Sequence, residues 1–210
     1  VYARGRANDT TEISIDTLFE ISSVSKQFTA AAILVLEMRG AVSLSDPLQA
    51  FFPGAPADKA NIRLQDLLAH TSGFDADFGL PYDSPAGRDA FLDEVLARPL
   101  TAPVGRRFEY ANTNYSVLAA VVEVVVGETF EDFARTALFG PAGLGSTGFV
   151  GDENLIGSAM DCVRRSGRRS EGTAADWHYS WGYRGMGGVV STARDLLAWD
   201  RALRGETILS

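Results

Sequence analysis

Apolar residues recur every three or four positions along most of the chain, which is the spacing of one face of an α-helix. This periodicity predicts helices over residues 27–38, 64–69, 88–97, 115–126 and 130–139, and a last helix beginning at residues 191–192. Signals for β-strands are few and lie near the start: residues 1–9 suggest the end of a strand and a turn, and residues 13–15 a short strand. The pattern predicts a fold in which helices dominate.

The predicted helix over residues 27–38 is apolar nearly all round, because it contains Phe28 and an unbroken apolar run over residues 30–36. A helix with no polar face belongs in the centre of a fold, where every side can be buried. Ser22 or Ser23 offers an N-cap, and Gly40 offers a C-terminal stop. We therefore expect this helix to be the core around which the others pack.

The other predicted helices have one apolar side each. In residues 88–97 that side carries Phe91, Leu92, Val95 and Leu96, and Pro99 ends the helix. At the start of the last helix, Thr192 and Asp195 have the spacing of a capping box. Its predicted apolar side consists of Leu196, Leu197, Trp199 and Leu203.

Composition narrows the class of protein. The chain has 210 residues with 46% hydrophobic and 22% charged, which is typical of a folded domain and allows a single domain over residues 1–210. A net charge of −8 argues against a nucleic-acid partner. The basic cluster within residues 164–169 is interpreted as a solvated loop. The longest apolar run, residues 30–36, is too short to cross a bilayer, and Cys162, the only cysteine, excludes an internal disulfide.

Ser23 and Lys26 are the first candidates for chemistry. Residues three apart on a helix are neighbours, so the two side chains would meet at the opening turn of the apolar helix. Lys26 is one of only two lysines among 19 basic residues, and a desolvated lysine can lose its proton near neutrality whereas arginine cannot. The pair predicts a serine nucleophile with a lysine as its proton acceptor.

Tyr110 and Asn112 form a second candidate pair. A tyrosine beside an ammonium group can have a lowered pKa and move protons, and an amide two residues on can hold a substrate carbonyl. The alternative is an ordinary turn before the helix over residues 115–126. His178 is interpreted as a surface or loop histidine. The sequence has neither the spacing of a metal site nor a Gly-x-Ser-x-Gly motif, so we expect no metal and no cofactor.

Four segments in order resemble the beta-lactamase-related serine hydrolases, which include class C beta-lactamases, D-Ala-D-Ala carboxypeptidases, D-aminopeptidases and esterases. The segments are residues 18–30 (LFEISSVSKQFTA), 66–73 (DLLAHTSG), 105–115 (GRRFEYANTNY) and 187–196 (GGVVSTARDL). The resemblance implies an α+β fold of the beta-lactamase/transpeptidase type. It also implies a bacterial periplasmic, envelope or secreted location.

The resemblance assigns roles to these residues. Ser23 would attack a carbonyl, Lys26 would take its proton, Tyr110 would relay protons, and Asn112 would hold the substrate amide. The Ser23 backbone N–H would be one half of an oxyanion hole. The resemblance also implies that His70 lies in a structural turn and is not a catalytic histidine. The substrate would be a beta-lactam, a D-amino-acid peptide or a small ester, with the loop over residues 74–84 helping to select it. A non-catalytic penicillin-binding or sensor protein remains an alternative.

The family's third motif, Lys or His, then Ser or Thr, then Gly, is expected after the 187–196 segment. Arg165-Ser166-Gly167 imitates it but comes too early in the chain. We therefore expect an incomplete chain, mostly the helical region, with flanking sheet strands missing at both ends. A missing segment or a second chain would complete the sheet, and an inactive fragment is the remaining alternative.

Overall fold

The computed structural model describes residues 13–81, 83–152 and 179–209. The elements in these ranges are β1 (Phe19–Glu20), a 3₁₀ turn (Ser22–Ser25), α1 (Lys26–Met38), a 3₁₀ turn (Leu48–Ala50), α2 (Leu64–Leu68), α3 (Arg88–Ala97), α4 (Asn112–Val126), α5 (Phe130–Ala134), a π-helical turn (Arg135–Phe139), β2 (Gly148–Phe149), a 3₁₀ turn (Trp181–Tyr183), β3 (Val189–Ser191) and α6 (Ala193–Arg204). The predicted α+β fold, helix-rich with a small antiparallel sheet, is confirmed for this part of the chain.

The described strands form one antiparallel sheet in the order β1-β3-β2. Phe19 pairs with Ser191, and Phe149 pairs with Val189. The central strand β3 is buried along its whole length. Because β1 leads directly into the turn before α1, the sheet fixes the point from which the central helix starts.

Helix α1 lies in the middle of the core, as its apolar sequence predicts. Phe28 and Ile33 are fully buried, and the helix packs against α4. The Phe28 ring contacts Phe139 at 5.2 Å and Trp199 of α6 at 4.6 Å between centroids. Burying three large aromatic side chains around one position stabilises the helix because each removes a large apolar area from water. The N-terminal end of α1 is therefore held rigidly.

The predicted strand over residues 13–15 is wrong. Ser14 and Thr17 form a local turn in which the Ser14 N–H donates to Thr17 Oγ1 (2.8 Å) and the Thr17 N–H donates to the Ser14 carbonyl (3.2 Å). Asp16 N–H donates to Ser14 Oγ as well. Short polar side chains thus satisfy the backbone locally and compete with strand pairing. The strand lies instead at β1.

The ends of two predicted helices also need correction. Helix α1 has no serine side-chain cap; a 3₁₀ turn precedes it instead. Helix α4 begins at Asn112, three residues before the predicted start at Tyr115, because Ala111 already has the extended backbone of an N-cap residue. As a result Asn112 stands in the first turn of a helix rather than in a loop.

Two further predictions hold only in part. The helix over residues 130–139 divides into α5 and a π-helical turn. At the start of α6, Thr192 Oγ1 accepts from the Asp195 N–H (3.1 Å), but the Asp195 carboxylate accepts from the Ser146 N–H and Thr147 Oγ1, both at 2.8 Å. This is half of a capping box; the carboxylate ties α6 to the chain before β2. Leu197, placed on the apolar side, is 51% exposed.

Arg165-Ser166-Gly167, the basic cluster, Cys162 and His178 lie outside the described residues.

Candidate active site

Ser23 sits at the end of a tight connection from β1 to α1. Ser22, just before it, has φ of +49°, in the left-handed region that side chains other than glycine rarely adopt. The Glu20 carboxylate accepts from the Ser22 N–H (3.0 Å), from the Tyr183 hydroxyl (3.2 Å) and from the Gly188 N–H (3.4 Å). Glu20 therefore ties the turn to the segment before β3, and the turn leaves Ser23 exposed at the N-terminal end of α1.

Lys26 lies among three polar groups. Its Nζ is 3.2 Å from Ser23 Oγ, 2.9 Å from Asn112 Oδ1 and 2.9 Å from the Met186 carbonyl oxygen. Both oxygens at 2.9 Å can only accept hydrogen bonds. A neutral amine has two N–H donors and one lone pair, so donating to these two oxygens leaves the lone pair for the Ser23 hydroxyl. An ammonium would instead donate to all three oxygens, so the contacts are compatible with either protonation state of Lys26.

Burial lowers the pKa of Lys26 below its ordinary value. The side chain is on the first turn of a buried helix and the residue is only 7% exposed. Desolvation disfavours the ammonium form, while the hydrogen bond and the charge of Tyr110 favour it by a smaller amount. The net pKa is lowered, which increases the fraction of neutral amine available at moderate pH.

Tyr110 forms the more open side of the site. It is 46% exposed, and Lys26 Nζ lies 5.0 Å from the centre of its ring. Burial raises the pKa of the Tyr110 phenol, but hydrogen bonding with Lys26 and with Ser23, together with the Lys26 charge, outweighs it. The net pKa is lowered. Because each of Tyr110 and Lys26 shifts the other, they titrate as a coupled pair.

Asn112 is held by its backbone and by both ends of its side-chain amide. Its backbone N–H donates to the Ala76 carbonyl (2.7 Å). The side-chain Oδ1 accepts from Lys26, and Nδ2 donates to Asp77 Oδ1 across 3.4 Å. An amide whose oxygen faces an amine and whose nitrogen faces a carboxylate has only one sensible orientation. Nδ2 therefore points towards the loop over residues 74–84.

Glycines place the segment that carries the Met186 carbonyl. Gly185 has φ of +74°, and a Cβ built there would lie 2.3 Å from the Tyr115 carbonyl oxygen of α4. Its own carbonyl accepts from Thr29 Oγ1 of α1 (2.7 Å). Only glycine permits this approach, which brings the backbone of the segment against both helices. The next carbonyl, that of Met186, is thereby aimed at Lys26.

His70 lies behind Tyr110 and is buried. Its Nδ1 accepts from the Ala111 N–H (3.1 Å) and lies 3.2 Å from Asn114 Nδ2. Burial first, and then the Lys26 charge, lower the pKa of His70. Because Nδ1 accepts from a backbone N–H, the proton of the neutral ring belongs on Nε2. In the described contacts, Nδ1 bonds to residues of the 111–114 segment. These contacts agree with the structural role expected for His70.

The structure thus brings together all four predicted site residues, which are Ser23, Lys26, Tyr110 and Asn112. Sequence reasoning missed the Met186 carbonyl, because a backbone oxygen carries no sequence signal. It also missed Glu20 and Asp77, which hold the turn and the amide. The glycines around position 186 were the one available signal for the close approach.

In the described ranges no cluster of His, Cys, Asp or Glu has the arrangement of a metal site. Among the helices of the same ranges, none combines the length and the apolar character that a bilayer crossing requires.

A mostly helical α+β fold, in which a serine and a buried lysine meet at the start of the central helix, defines the beta-lactamase-like class of fold. The chain belongs to the Beta-lactamase family, whose model matches residues 1–210. The family resemblance predicted from the four segments is confirmed.

Individual relatives agree with this assignment. Penicillin-binding protein 4* of Bacillus subtilis is 28% identical over 222 residues, covering 94% of this chain. The structure of D-amino acid amidase from Ochrobactrum anthropi, solved with L-phenylalanine, superimposes with a TM-score of 0.81 at 26% identity, covering 100% of this chain and 64% of that one. A class C beta lactamase from Rhodobacter sphaeroides gives a TM-score of 0.74 at 29% identity, covering 100% and 58%. The chain spans 47% of the length of the Bacillus protein.

Proposed function

We propose that this chain carries the nucleophile of a serine hydrolase that forms an acyl-enzyme at Ser23, with Lys26 as general base. The observation that carries the proposal is the 3.2 Å contact between Lys26 Nζ and Ser23 Oγ, made by an amine whose other two neighbours at 2.9 Å are pure acceptors. Such an amine can take the hydroxyl proton without losing its other hydrogen bonds.

The first half of the reaction forms an ester. Ser23 Oγ attacks the substrate carbonyl carbon while its proton passes to Lys26 Nζ, which becomes an ammonium. The tetrahedral intermediate then expels the leaving group, which receives a proton through the Tyr110 hydroxyl. The lowered pKa of Tyr110 and its hydrogen bonding to both Ser23 and Lys26 support this relay.

The second half removes the acyl group. Water attacks the ester carbonyl and gives a proton to the Tyr110 oxygen while the Tyr110 hydroxyl proton passes to Lys26 Nζ. When the tetrahedral intermediate collapses, Lys26 returns this proton to Ser23 Oγ and the acid leaves. The Ser23 N–H, near the N-terminus of α1, would stabilise the oxyanion in both halves.

Asn112 would bind the substrate. Its Oδ1 is taken by Lys26, so the group left for a substrate carbonyl is Nδ2. That atom makes only a long 3.4 Å contact with Asp77 among its described hydrogen bonds, and a substrate oxygen can replace it at small cost. This supports an amide-bearing substrate whose carbonyl lies alongside the loop over residues 74–84.

The proposed substrates are beta-lactams, D-amino-acid peptides or amides, and small esters. The names of the relatives, a penicillin-binding protein and a D-amino acid amidase, support the first two classes. All three classes share an acyl carbon open to attack by serine, and the pocket loops decide between them.

The test is covalent labelling followed by intact-mass spectrometry. Incubation with a penicillin or a fluorophosphonate should add one acyl or phosphonyl group to the chain, and Ser23→Ala should abolish the addition. Ser25→Ala is a matched control, because Ser25 is buried in the same turn and its Oγ accepts from the Val189 N–H instead. Labelling that persists in Ser23→Ala would refute the nucleophile.

The same measurement separates the alternatives. A penicillin adduct that decays with release of product indicates a hydrolase, whereas an adduct that never decays indicates a non-catalytic binding or sensor protein. The absence of any adduct on a cooperatively folded chain would indicate an inactive fragment.

A further inference from the structure

His70 accepts hydrogen bonds from the backbone on both sides of Tyr110. Its carbonyl oxygen accepts from the Glu109 N–H (2.8 Å), and its ring Nδ1 accepts from the Ala111 N–H (3.1 Å). Glu109 and Ala111 are the two chain neighbours of Tyr110. The Ala111 N–H belongs to the peptide group directly after Tyr110 and the Glu109 N–H to the peptide group before Glu109, so His70 holds the chain on either side of the tyrosine and restricts where the phenol points.

The imidazole also lies against the phenol ring itself. The ring centroids of His70 and Tyr110 are 4.6 Å apart with planes inclined by 32°, and on α4 the Tyr115 ring lies 5.1 Å from the same imidazole. Lys26 Nζ stands 5.0 Å from the Tyr110 ring centre and 5.7 Å from that of Tyr115. The four side chains form one packed group on the buried side of the half-exposed Tyr110.

This arrangement depends on an unusual backbone at His70. Its φ is +56°, in the left-handed region, and the residue is only 8% exposed. A side chain other than glycine in that region costs on the order of 1–2 kcal/mol. Strain of this kind persists where the surroundings fix the residue, and such residues cluster at functional sites. The left-handed turn lets both the carbonyl and the ring of His70 face the chain around Tyr110.

The hydrogen bond from the Ala111 N–H to Nδ1 requires a neutral imidazole. A protonated ring would have no lone pair for the Ala111 N–H. Burial and the nearby charge of Lys26 hold the pKa of His70 below its ordinary value, and Tyr110 and Tyr115 are the other titratable groups packed on it. The ring therefore stays an acceptor while Lys26 gains and loses a proton.

We infer that His70 is a positioning residue for the reaction: it accepts hydrogen bonds from both chain neighbours of Tyr110 and packs on the Tyr110 ring, and it thereby holds the phenol hydroxyl between Ser23 and Lys26. This inference rests on the proposed function and extends it to a residue that makes no proton transfer itself. His70 acts only through Tyr110, so its effect should disappear when the Tyr110 hydroxyl is absent.

A double-mutant cycle tests this dependence. His70→Phe keeps a ring for stacking and removes the acceptor, and Tyr110→Phe keeps the stacked ring and removes the hydroxyl. We expect His70→Phe to slow the labelling of Ser23 by a fluorophosphonate about tenfold to a hundredfold, because small misplacements of a catalytic group are costly. In the Tyr110→Phe background the same change should slow labelling by less than about threefold. Equal losses in both backgrounds would overturn the inference.

A conservative variant guards against simple loss of folding. His70→Asn tolerates the left-handed backbone and offers an amide oxygen to the Ala111 N–H. It should recover part of the rate lost in His70→Phe, with a thermal unfolding transition close to that of the native chain. If well-folded His70→Asn were labelled as slowly as His70→Phe, the result would contradict the positioning role of His70.

A readout without catalysis separates failure of this inference from failure of the proposed function. The Tyr110 phenol can be titrated by ultraviolet difference absorbance, with Tyr110→Phe as the reference. In His70→Phe its pKa should move up towards the ordinary tyrosine value, because the contacts with Lys26 and Ser23 loosen. An unchanged Tyr110 titration in folded His70→Phe would contradict the positioning role, even if Ser23 proved not to be a nucleophile.

Discussion

Lys26 Nζ lies 3.2 Å from Ser23 Oγ at the start of the central helix, and the same nitrogen meets Asn112 Oδ1 and the Met186 carbonyl at 2.9 Å. Those last two residues are 86 and 160 positions away along the chain. The amine is therefore placed by the tertiary fold as well as by helical spacing. Burial favours its neutral form, whereas hydrogen bonding to oxygen acceptors favours the ammonium form; the net effect is a lowered pKa of Lys26.

Removing the Tyr110 hydroxyl should shift the pH dependence of labelling towards acid. Tyr110 raises the pKa of Lys26 through a hydrogen bond and its charge, partly opposing the effect of burial. In Tyr110→Phe the pKa of Lys26 falls further, so neutral amine accumulates at lower pH. The rate of fluorophosphonate labelling should then rise with pH at a lower pH than in the native chain, although its maximum is reduced. A rise that moved to higher pH would contradict the coupling.

A carboxylate at position 112 should have the opposite effect. In Asn112→Asp an anion would lie about where Asn112 Oδ1 now meets Lys26, and an opposite charge favours the ammonium form. The pKa of Lys26 rises, and labelling at neutral pH should fall by about tenfold or more and recover on raising the pH.

The matched control is Asn112→Leu, which has similar size and no charge. It should slow substrate turnover without moving the rise in labelling to higher pH. If Asn112→Asp and Asn112→Leu gave superimposable pH profiles, charge at this position would not govern Lys26.

Glycine at position 22 should stabilise the chain. Ser22 has φ of +49°, which costs on the order of 1–2 kcal/mol for a residue with a Cβ. Glycine removes this strain, but it loses more conformational entropy on folding, which costs roughly 0.5–1 kcal/mol. Ser22→Gly should therefore raise the free energy of unfolding by about 0.5–1 kcal/mol, measured by urea denaturation. Ser22→Ala, which keeps the Cβ, should give no such gain. A loss of stability in Ser22→Gly would show that the serine side chain stabilises the turn.

Two glycines with similar backbones should respond differently to alanine. Gly40 and Gly185 have φ of +68° and +74°, but a Cβ at Gly40 meets nothing within 4 Å whereas one at Gly185 would meet the Tyr115 carbonyl at 2.3 Å. Gly40→Ala should cost about 0.5–1 kcal/mol of unfolding free energy, because the strain of a Cβ at positive φ is partly offset by the lower conformational entropy of the unfolded alanine chain. Gly185→Ala should cost about 1–3 kcal/mol more and slow labelling, since the Met186 carbonyl is displaced from Lys26. Equal losses would rule out the close approach as the reason for Gly185.

Helical periodicity predicted α1 and α3 almost to the residue because burial in those segments is decided by local spacing. Gly40 predicted the end of α1 for the same local reason, and it has a positive φ. The strand over residues 13–15 failed because Ser14 and Thr17 bond their own turn. Pairing of β1 with β3 joins positions more than a hundred residues apart, and no local pattern specifies such a partner.

In the candidate site too, the features set by local spacing could be predicted and those set by distant segments could not. Ser23 and Lys26 could be predicted as neighbours, since three-residue spacing on a helix fixes them. Their meeting with Tyr110 and Asn112 was an expectation from family resemblance. The contributions of Glu20 and the Met186 carbonyl depend on chain segments meeting in space, which the sequence pattern does not encode.

The most direct test of the account compares the two lysines. Lys26→Arg keeps the positive charge and removes the ability to accept a proton, because arginine stays protonated. Lys59→Arg makes the same change at the other buried lysine, which pairs with Asp58. The account predicts that Lys26→Arg slows fluorophosphonate labelling of Ser23 by about a hundredfold to ten-thousandfold, and that Lys59→Arg, in a folded chain, leaves the rate near native. Labelling of Lys26→Arg at the native rate would contradict the claim that a neutral Lys26 activates Ser23.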